Sequence, residues 1–341
     1  MRRIAAAALL VAPALLLTAC GSSGKKTASD AATPSASASA SPSTPAVPAA
    51  VDSASPMPAV GGAFGKSATL TIPTGQKPSD KFVVHTVTQG SGPTVGASDY
   101  ATAQILVKDW TSGKTLSPYT TATPQLLNPQ SQLIPAIEKA VRGHKVGSRV
   151  LVVAPPAAAA ADMASGNSMG VKKTDTLALV VDVTDRVGAN DAVSGSQQSV
   201  PSDMPQVTAS AGKAASFTVP AAARTAKKLK TAVLVKGSGH KITAGEDAVV
   251  QYTGALLSNG KVFDSSWSHG GATCFSTASG QSGACTSVIP GMANGLVGQT
   301  VGSRVVISIP SAQGYGATPP SGSNIPKNAD LTFVVDILAA D

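Results

Sequence analysis

Charged and aromatic side chains are scarce in this chain of 341 residues, at 13% and 4% of the sequence. So little charge argues against a highly charged, disordered protein. The sequence has no run of about five basic residues, so nucleic-acid binding is not indicated. It also lacks a phosphate-binding glycine loop of the P-loop type, an HExxH motif and a credible nucleophile elbow, so the enzyme classes that depend on these motifs have little support. Its 33 Gly and 24 Pro residues favour turns and short strands over long helices.

Three cysteines cannot all pair within the chain, so one is expected to have another role. Met1-Arg2-Arg3, followed by the largely apolar residues 4–17, has the order of a secretory signal and is too short to span a membrane. The segment ends in Leu17-Thr18-Ala19-Cys20, which resembles a bacterial lipobox. The resemblance implies removal of residues 1–19 and a lipid on Cys20 that anchors the protein to the extracytoplasmic face of the cell membrane. The alternative is an ordinary secretory signal with an incidental cysteine.

Residues 20–63, which follow this signal, consist mainly of Ser, Ala, Thr and Pro. Such a segment has almost no large apolar side chains to bury, so burial cannot offset the entropy lost on ordering. The composition therefore predicts a disordered tether that holds the folded part of the protein away from the membrane.

An internal repeat organises the rest of the chain. Residues 66–73 (KSATLTIP) match residues 213–220 (KAASFTVP) at an offset of 147. Residues 146–149 match residues 301–304 at an offset of 155, so the second copy has eight additional residues between Lys261 and Ile289. A repeat that keeps its spacing over such a length indicates a duplicated domain. The predicted boundaries are residues 64–187 for the first domain, 188–206 for a linker and 207–341 for the second domain.

Each copy combines β-rich runs with one short helical segment. In the second copy, residues 248–252, 305–309 and 331–337 have the composition of strands. Residues 291–297 can form one helix, which residues 136–141 match in the first copy. The pattern predicts an α+β fold, in which each copy is an antiparallel sheet with one short helix packed on it.

Several spaced motifs of the second copy resemble the FK506-binding-protein (FKBP) family of peptidyl-prolyl isomerases, over about residues 228–341. They are the runs VQYTGAL at 250–256, NGKVFDSS at 259–266, VIPG at 288–291, GLVG at 295–298, IP at 309–310, GYG at 314–316, IP at 325–326 and LTF at 331–333. Any one of them is a weak signal, whereas their order and spacing together are specific. The resemblance implies two FKBP-like domains and, in the second, isomerisation of X-Pro peptide bonds without a cofactor.

The resemblance also implies a role for individual residues of the second copy. Those expected to act on the substrate are Tyr252, Phe263, Asp264, Ile289 and Tyr315, and those expected to line its binding site are Val288, Met292, Ile325 and Phe333. The Ile289 N–H and the Tyr315 hydroxyl would hold carbonyl groups of the peptide. Asp264 would lie beside the proline ring, positioned by Tyr252. The alternative is that these aromatic side chains are ordinary core residues.

The second copy departs from the family at two positions. Met292 stands where members often have Trp, and a flexible thioether gives a less rigid surface. The basic residue that often follows the Phe-Asp-Ser-Ser run is replaced by Trp267-Ser268-His269. His269 either takes its place beside Asp264 or is simply solvated. These departures leave the family assignment intact but make the level of activity and the affinity for FK506-type macrolides open questions.

Cys274 and Cys285 lie between Lys261 and Ile289, the stretch in which the second copy is eight residues longer, and they have no counterparts in the first copy. An exported protein meets an oxidising environment, so we expect a disulfide between them. A metal site is not indicated, because the four histidines, His85, His144, His240 and His269, show no ligand spacing with these thiols.

The first copy lacks the residues that the resemblance assigns to the site. Ile105 aligns with Tyr252, Leu116 with Phe263, Ser117 with Asp264 and Ala160 with Tyr315. The sequence therefore predicts an inactive first domain. The leading hypothesis is an isomerase that acts on proline-containing exported polypeptides. The alternatives are a non-catalytic, proline-recognising chaperone and a purely structural envelope lipoprotein.

Overall fold

The computed structural model describes residues 46–120, 124–131, 133–159, 171–172, 174–278 and 285–341. The predicted signal peptide, Cys20, the tether up to residue 45 and Ala160 lie outside these ranges. By their contacts, residues 45–341 form one compact unit. In the ranges described, no helix is both long and apolar enough to cross a bilayer.

The N-terminal half of this unit is a mixed sheet with short helices. Its strands are β1 Ala50–Val51, β2 Ala59–Gly61, β3 Thr69–Thr71, β4 Phe82–Thr88, β5 Tyr100–Asp109, β6 Thr115–Ser117, β7 Gln125–Leu127, β8 Arg149–Ala154 and β9 Leu177–Val187. Its helices are α1 Pro135–Val141 and α2 Pro156–Ala159. The sheet has the order β1-β4-β8-β9-β5-β6, and β7 also pairs with β5.

The C-terminal half has the same plan. Its strands are β10 Gln206–Ser210, β11 Lys213–Thr218, β12 Lys230–Val235, β13 Asp247–Leu256, β14 Val262–Ser265, β15 Thr273–Ser276, β16 Thr286–Ser287, β17 Arg304–Ile309 and β18 Leu331–Ala340. Its helix is α3 Pro290–Leu296, and three 3₁₀ turns cover Ala221–Ala223, Ser266–His269 and Ser311–Gln313. The sheet order is β12-β17-β18-β13-β15-β16, with β14 also on β13. The central strands β4-β8-β9-β5 thus correspond to β12-β17-β18-β13.

Each sheet is antiparallel except at its edges, where β1 runs parallel to β4 and β16 parallel to β15. The antiparallel prediction is therefore correct for the central strands. In β13, every residue is buried except Asp247 and Tyr252, rather than every second residue. A strand buried along its length must be covered on both faces of the sheet.

Helix α3 covers one face of the second sheet. It begins at Pro290, whose fixed φ suits the first position of a helix. A Cβ at Gly291 would lie 2.3 Å from the Ile309 side chain, so only glycine lets the helix approach β17 this closely. Met292 and Leu296 on the same helix are fully buried in the core. The predicted helices of both halves are confirmed to within one residue, and α2 is an additional turn.

A hairpin covers the opposite face of each sheet. In the C-terminal half it is the antiparallel pair β10–β11, and in the N-terminal half it is β2–β3. Ala215 of β11 and Met204, just before β10, are buried against Leu234, Val306 and Val334. Each half is therefore a sheet between a helix and a hairpin.

These hairpins revise two predicted boundaries. The tether prediction is wrong over residues 50–63, which contain β1, β2 and the loop whose carbonyls at Gly62 and Ala63 accept hydrogen bonds from Arg149. The predicted linker of residues 188–206 is held against the second half by hydrogen bonds. The carbonyl oxygen of Ala189 accepts a 2.7 Å hydrogen bond from the Gln251 side chain, and the Val193 N–H donates to Asp336. In both segments, which are rich in Ser, Ala and Pro, backbone groups form hydrogen bonds with side chains of the sheets. Composition does not predict such bonds.

A buried ion pair repeats at equivalent positions of the two halves. Arg149 and Asp182 pair across β8 and β9 with two contacts of 2.7 Å. Arg304 and Asp336 pair across β17 and β18 in the same way, with contacts of 2.5 and 2.7 Å. Bidentate geometry of this kind makes the strongest charge-assisted hydrogen bonds. Each arginine also donates to a backbone carbonyl of the segment that precedes the central strands of its own sheet, Gly62 for Arg149 and Val193 for Arg304. The pair therefore attaches that segment to its sheet.

The two halves pack directly against each other. Tyr100 and Val187 of the first sheet lie in one buried cluster with Val249, Cys274 and Ala339 of the second. The pKa of Tyr100 is raised by burial, and its side chain contacts Thr273 and Cys274. This interface fixes residues of the first sheet beside β15.

Candidate active site

Four aromatic rings cluster on the second sheet. The Tyr252 and Phe275 ring centroids are 5.1 Å apart, those of Tyr252 and Phe333 6.3 Å, and the Phe263 ring meets Phe333 edge-on at 5.7 Å. These separations lie within the range of favourable aromatic pairs. The rings come from four strands, β13, β14, β15 and β18, which their pairing with β13 brings together. We call this group the aromatic cluster.

Gly254 makes room for two of these rings. A Cβ at this position would lie 2.6 Å from the Phe333 ring and 2.8 Å from the Phe263 ring. Glycine is therefore required in β13 for the two phenylalanines to meet above the strand.

Apolar residues from three further segments pack against the cluster. Met292 of α3 and Ile325 of the loop before β18 are buried, with 2% and 7% of their surface exposed. Val288 and Ile289, which lead into α3, and Tyr315 are partly buried against the same core. The structure thus brings the predicted residues Tyr252, Phe263, Val288, Ile289, Met292, Tyr315, Ile325 and Phe333 into one apolar core region.

Asp264 is the acidic residue at the edge of the cluster. The Tyr252 hydroxyl donates a 2.6 Å hydrogen bond to one carboxylate oxygen, and the Ser265 N–H donates to the other at 2.8 Å. His269 Nε2 also lies 2.8 Å from that second oxygen. His269 is therefore placed beside Asp264 and not simply solvated, although its side chain is 65% exposed. It stands there because the 3₁₀ turn after β14 ends at Gly270, whose φ of 92° is left-handed.

Two polar groups near the cluster have no hydrogen-bond partner in the part of the chain that the structure describes. Among the described residues, neither the Ile289 N–H nor the Tyr315 hydroxyl forms a hydrogen bond. Burial raises the pKa of Tyr315, and the negative charge of Asp264 raises it further. Burial and the hydrogen bond to Asp264 likewise raise the pKa of Tyr252. Both tyrosines are therefore neutral hydrogen-bond donors at physiological pH.

Sequence reasoning missed the position of Phe275 and the network behind Tyr252. The Tyr252 N–H donates to the Ser266 hydroxyl at 3.0 Å, and that hydroxyl donates to Gln251. Gln251 in turn donates to Ala189. The strand-like composition of the run Thr273-Cys274-Phe275 is the sequence feature that could have indicated that Phe275 lies on the sheet. The segment around Ala189 gives no comparable signal.

The expected disulfide between Cys274 and Cys285 is confirmed. Cys274 lies in β15 next to Phe275, and Cys285 lies just before β16. The bond therefore ties the edge strand β16 to its neighbour β15 beside the aromatic cluster.

The equivalent region of the first sheet has no aromatic side chain at the aligned positions that the structure describes. Ile105 is buried in the core of that sheet, and Leu116 packs on its edge. Ser117 is the last residue of β6. Where the second half has a tyrosine–carboxylate pair at this position, the first half has aliphatic packing.

Comparison with known proteins assigns the sequence of this region to a family. The sequence model described as FKBP-type peptidyl-prolyl cis-trans isomerase matches residues 239–338. The chain is 39% identical over 98 residues to peptidyl-prolyl cis-trans isomerase FPR2 of Saccharomyces cerevisiae, which covers 29% of this chain and 67% of the relative. It is 35% identical over 104 residues to an FK506-binding protein of Streptomyces anulatus, covering 30% and 79% of the two chains.

Among solved structures, FkpA from Escherichia coli matches with 32% sequence identity and a TM-score of 0.28, over 33% of this chain and 48% of that one. The matched family residues, 239–338, include every residue of the aromatic cluster together with Asp264, Ile289 and Tyr315. Through this region of its C-terminal half, the chain belongs to the FKBP-type peptidyl-prolyl cis-trans isomerase family.

Proposed function

We propose that the C-terminal half accelerates rotation about X-Pro bonds by binding the twisted amide against the aromatic cluster. An X-Pro bond prefers trans by only about 0.5–1 kcal/mol, but rotation must cross a barrier of about 20 kcal/mol because twisting removes amide resonance. No proton transfer or covalent intermediate is needed. A site that binds the twisted amide more tightly than the planar one is sufficient.

The observation that carries this proposal is the meeting of apolar rings and two unpartnered donors in one place. Phe263 is partly exposed and packs on the buried Phe333 and Met292, so it offers an apolar surface for the proline ring with those two side chains behind it. The Ile289 N–H and the Tyr315 hydroxyl have no partner among the described residues, so they can donate to peptide carbonyls. Asp264, fixed by Tyr252 and Ser265, would lie beside the proline ring. This division of roles agrees with the one that the family resemblance implies.

We assign the activity to the C-terminal half alone. The two halves share their sheet order, their hairpins and a buried Arg–Asp pair, which supports two FKBP-like domains that arose by duplication. The N-terminal domain has Ile105, Leu116 and Ser117 where the other has Tyr252, Phe263 and Asp264. It is therefore an inactive copy.

The clients in this proposal are proline-containing polypeptides outside the cytoplasm. The lipobox-like sequence that ends at Cys20 supports attachment to the membrane by a lipid, and the Cys274–Cys285 disulfide is compatible with an oxidising compartment. Metabolic labelling with a radioactive fatty acid tests this part. We expect label in the wild-type protein and none in the Cys20→Ala variant, and label that persists in this variant would refute the anchor.

FK506-type macrolides are a second ligand class for the same site. The matched relative from Streptomyces anulatus is named an FK506-binding protein. Such a ligand would occupy the apolar surface that we assign to proline, with Met292 beneath it. Competition between a macrolide and a prolyl peptide tests whether the two share the site.

The deciding experiment is a prolyl isomerisation assay on the full chain and on two matched variants. Phe263→Ala removes a ring from the cluster, whereas Leu116→Ala changes the aligned residue of the other half. We expect Phe263→Ala to lower kcat/KM by at least about tenfold, which is about 1.4 kcal/mol of transition-state stabilisation, and Leu116→Ala to leave it unchanged. If no X-Pro peptide is accelerated by the wild-type protein, the isomerase proposal fails and the non-catalytic, proline-recognising alternative replaces it.

A further inference from the structure

A cleft of about 450 Å³ lies between the two halves and is lined by both. Tyr100, Asn128 and Gln130 of the N-terminal half face Tyr252, His269 and Phe275 of the C-terminal half across it. Its volume lies within the range of about 300–1,000 Å³ that is usual for ligand-binding sites. The family match at residues 239–338 does not include the N-terminal wall.

This cleft is continuous with the aromatic cluster. The Tyr252 ring borders the cleft and is also a member of the cluster, where it packs against Phe275 and Phe333. The Tyr252 hydroxyl and His269 Nε2 hold the two oxygens of Asp264. A peptide bound at Asp264 therefore has the cleft immediately beside it.

The chemistry of the walls suits a neutral polypeptide. Among the described residues that line the cleft there is no Asp, Glu, Lys or Arg. The lining combines aromatic rings with side-chain amides and hydroxyls, including the exposed Gln130 and Thr286. Side-chain amides and hydroxyls form hydrogen bonds with the N–H and C=O groups of a peptide, and aromatic rings pack against its apolar side chains. A charged polymer would find no counter-charge here.

Contacts between the halves hold the walls in position. Tyr100 is 5% exposed and lies in the buried cluster with Cys274 and Val249. The carbonyl of Ala189 accepts from both Gln251 and the Ala272 N–H, at 2.7 and 3.0 Å. The cleft is thus formed before any ligand arrives, which lowers the entropic cost of binding.

We infer that the N-terminal half supplies a binding subsite for the client residues that flank the isomerised proline. This inference rests on the proposed isomerase function and extends it. The inactive half then contributes affinity for the client chain, while the C-terminal half carries out the isomerisation.

The test compares two substrates on the full-length protein. One is a prolyl tetrapeptide, and the other is a peptide of about ten residues, which spans about 30 Å when extended and has the same central sequence. The Gln130→Trp variant fills the cleft from the N-terminal half, and Gln125→Trp, at an exposed residue of β7 outside the cleft, is the matched control. We expect Gln130→Trp to lower kcat/KM for the long peptide by about fivefold through KM, and to leave the tetrapeptide within about twofold.

Cross-linking gives a second measurement that needs no variant. A photoreactive residue placed a few positions from the proline of the long peptide should label the cleft wall around residues 128–130, as mapped by mass spectrometry. Equal kcat/KM for both peptides, together with no labelling of the N-terminal half, would overturn the subsite. Failure of the wild-type protein to accelerate even the tetrapeptide would instead reject the proposed function, so the two failures are distinguishable.

Discussion

The hydroxyl groups of Tyr252 and Tyr315 differ in their partners. Tyr252 donates to Asp264 at 2.6 Å, whereas the Tyr315 hydroxyl has no hydrogen-bond partner among the described residues. A hydroxyl that already forms a hydrogen bond within the protein stabilises the folded state, whereas an unpartnered hydroxyl can form its hydrogen bond with the substrate. The two tyrosines therefore separate a positioning role from direct substrate contact.

Substitution of each tyrosine by phenylalanine tests this distinction, because the ring is kept and only the hydroxyl is lost. We expect Tyr252→Phe to lower the free energy of unfolding by about 1 kcal/mol and to lower kcat/KM as well, since Asp264 loses a donor. Tyr315→Phe should lower kcat/KM with little change in stability. Urea denaturation and the isomerisation assay on both variants give the two readouts. Equal losses of stability in both would contradict the assigned roles.

A second residue-scale prediction concerns pH. The chain has four tyrosines, Tyr100, Tyr119, Tyr252 and Tyr315, and burial is the largest cause of a raised pKa in each. Above the unfolded pKa of about 10, the unfolded chain releases phenolic protons that the folded protein retains. The free energy of unfolding should therefore fall as pH rises above about 10.

Ultraviolet titration of tyrosinate measures this effect. We expect the folded protein to show little tyrosinate near pH 10, and the protein in denaturant to titrate there normally. Denaturation midpoints measured at rising pH give the matching stability curve. Normal titration of the folded protein would show that the tyrosines are more solvated than the structure indicates.

At the scale of single residues, the sequence predicted the site through family motifs and not through physical chemistry alone. The motifs indicated Tyr252, Phe263 and Asp264 as site residues. The expected contact between Tyr252 and Asp264 is present as a hydrogen bond. The pairing of His269 with Asp264 was one of two open alternatives, because a loop histidine has no pattern that fixes its orientation. The structure resolves it through the left-handed turn at Gly270.

Among the secondary-structure elements, the hairpins β2–β3 and β10–β11 have a clear packing role. Met204 is 2% exposed and packs beneath β10 against the second sheet. The residue 147 positions earlier, Met57, is only partly buried against the first sheet. The repeat thus offers two methionines at equivalent places with different burial.

Replacement of each methionine by alanine tests the contribution of the hairpins. We expect Met204→Ala to cost about 2–4 kcal/mol of stability, because a buried cavity adds to the lost transfer energy, and Met57→Ala to cost about 1 kcal/mol. Denaturation curves of the two variants provide the comparison. A loss for Met204→Ala no larger than that for Met57→Ala would mean that the hairpin covers the second sheet only loosely.

Sequence patterns predicted the helices and the central strands well but not the hairpins. Predicted helix 291–297 corresponds to Pro290–Leu296, and predicted strand 248–252 is the start of Asp247–Leu256. The repeated segment KAASFTVP signals a shared element, yet its Ala, Ser and Thr side chains give only weak alternation. Long-range packing on the sheet, which local pattern does not report, decides its structure.

At the scale of the whole molecule, the junction between the halves depends on one close approach. The carbonyl oxygen of Ala189 lies 1.9 Å from where a Cβ of Gly271 would be, and Gly271 has a φ of +104°. The neighbouring Gly270 has a similar φ of +92° but nothing within 4 Å of its Cβ position. Alanine at either position strains the backbone, whereas only alanine at 271 displaces Ala189 from Gln251 and Ala272.

The chain's two tryptophans, one in each half, report on this junction. Trp110 is buried in the first half, and Trp267 lies in the 3₁₀ turn of the second. In single-tryptophan proteins that are otherwise wild type, we expect Trp110 and Trp267 to report the same denaturation midpoint, because residues 45–341 form one compact unit.

Gly271→Ala should lower the Trp267 midpoint by more than Gly270→Ala does, and should separate it from the Trp110 midpoint. The backbone strain common to both variants lowers the free energy of unfolding by about 1–3 kcal/mol. Any further loss in Gly271→Ala therefore measures the contact with Ala189. Since the cleft depends on this junction, the same variant should also lose the preference for long peptides. Identical midpoints in the two glycine variants would show that Ala189 does not couple the halves.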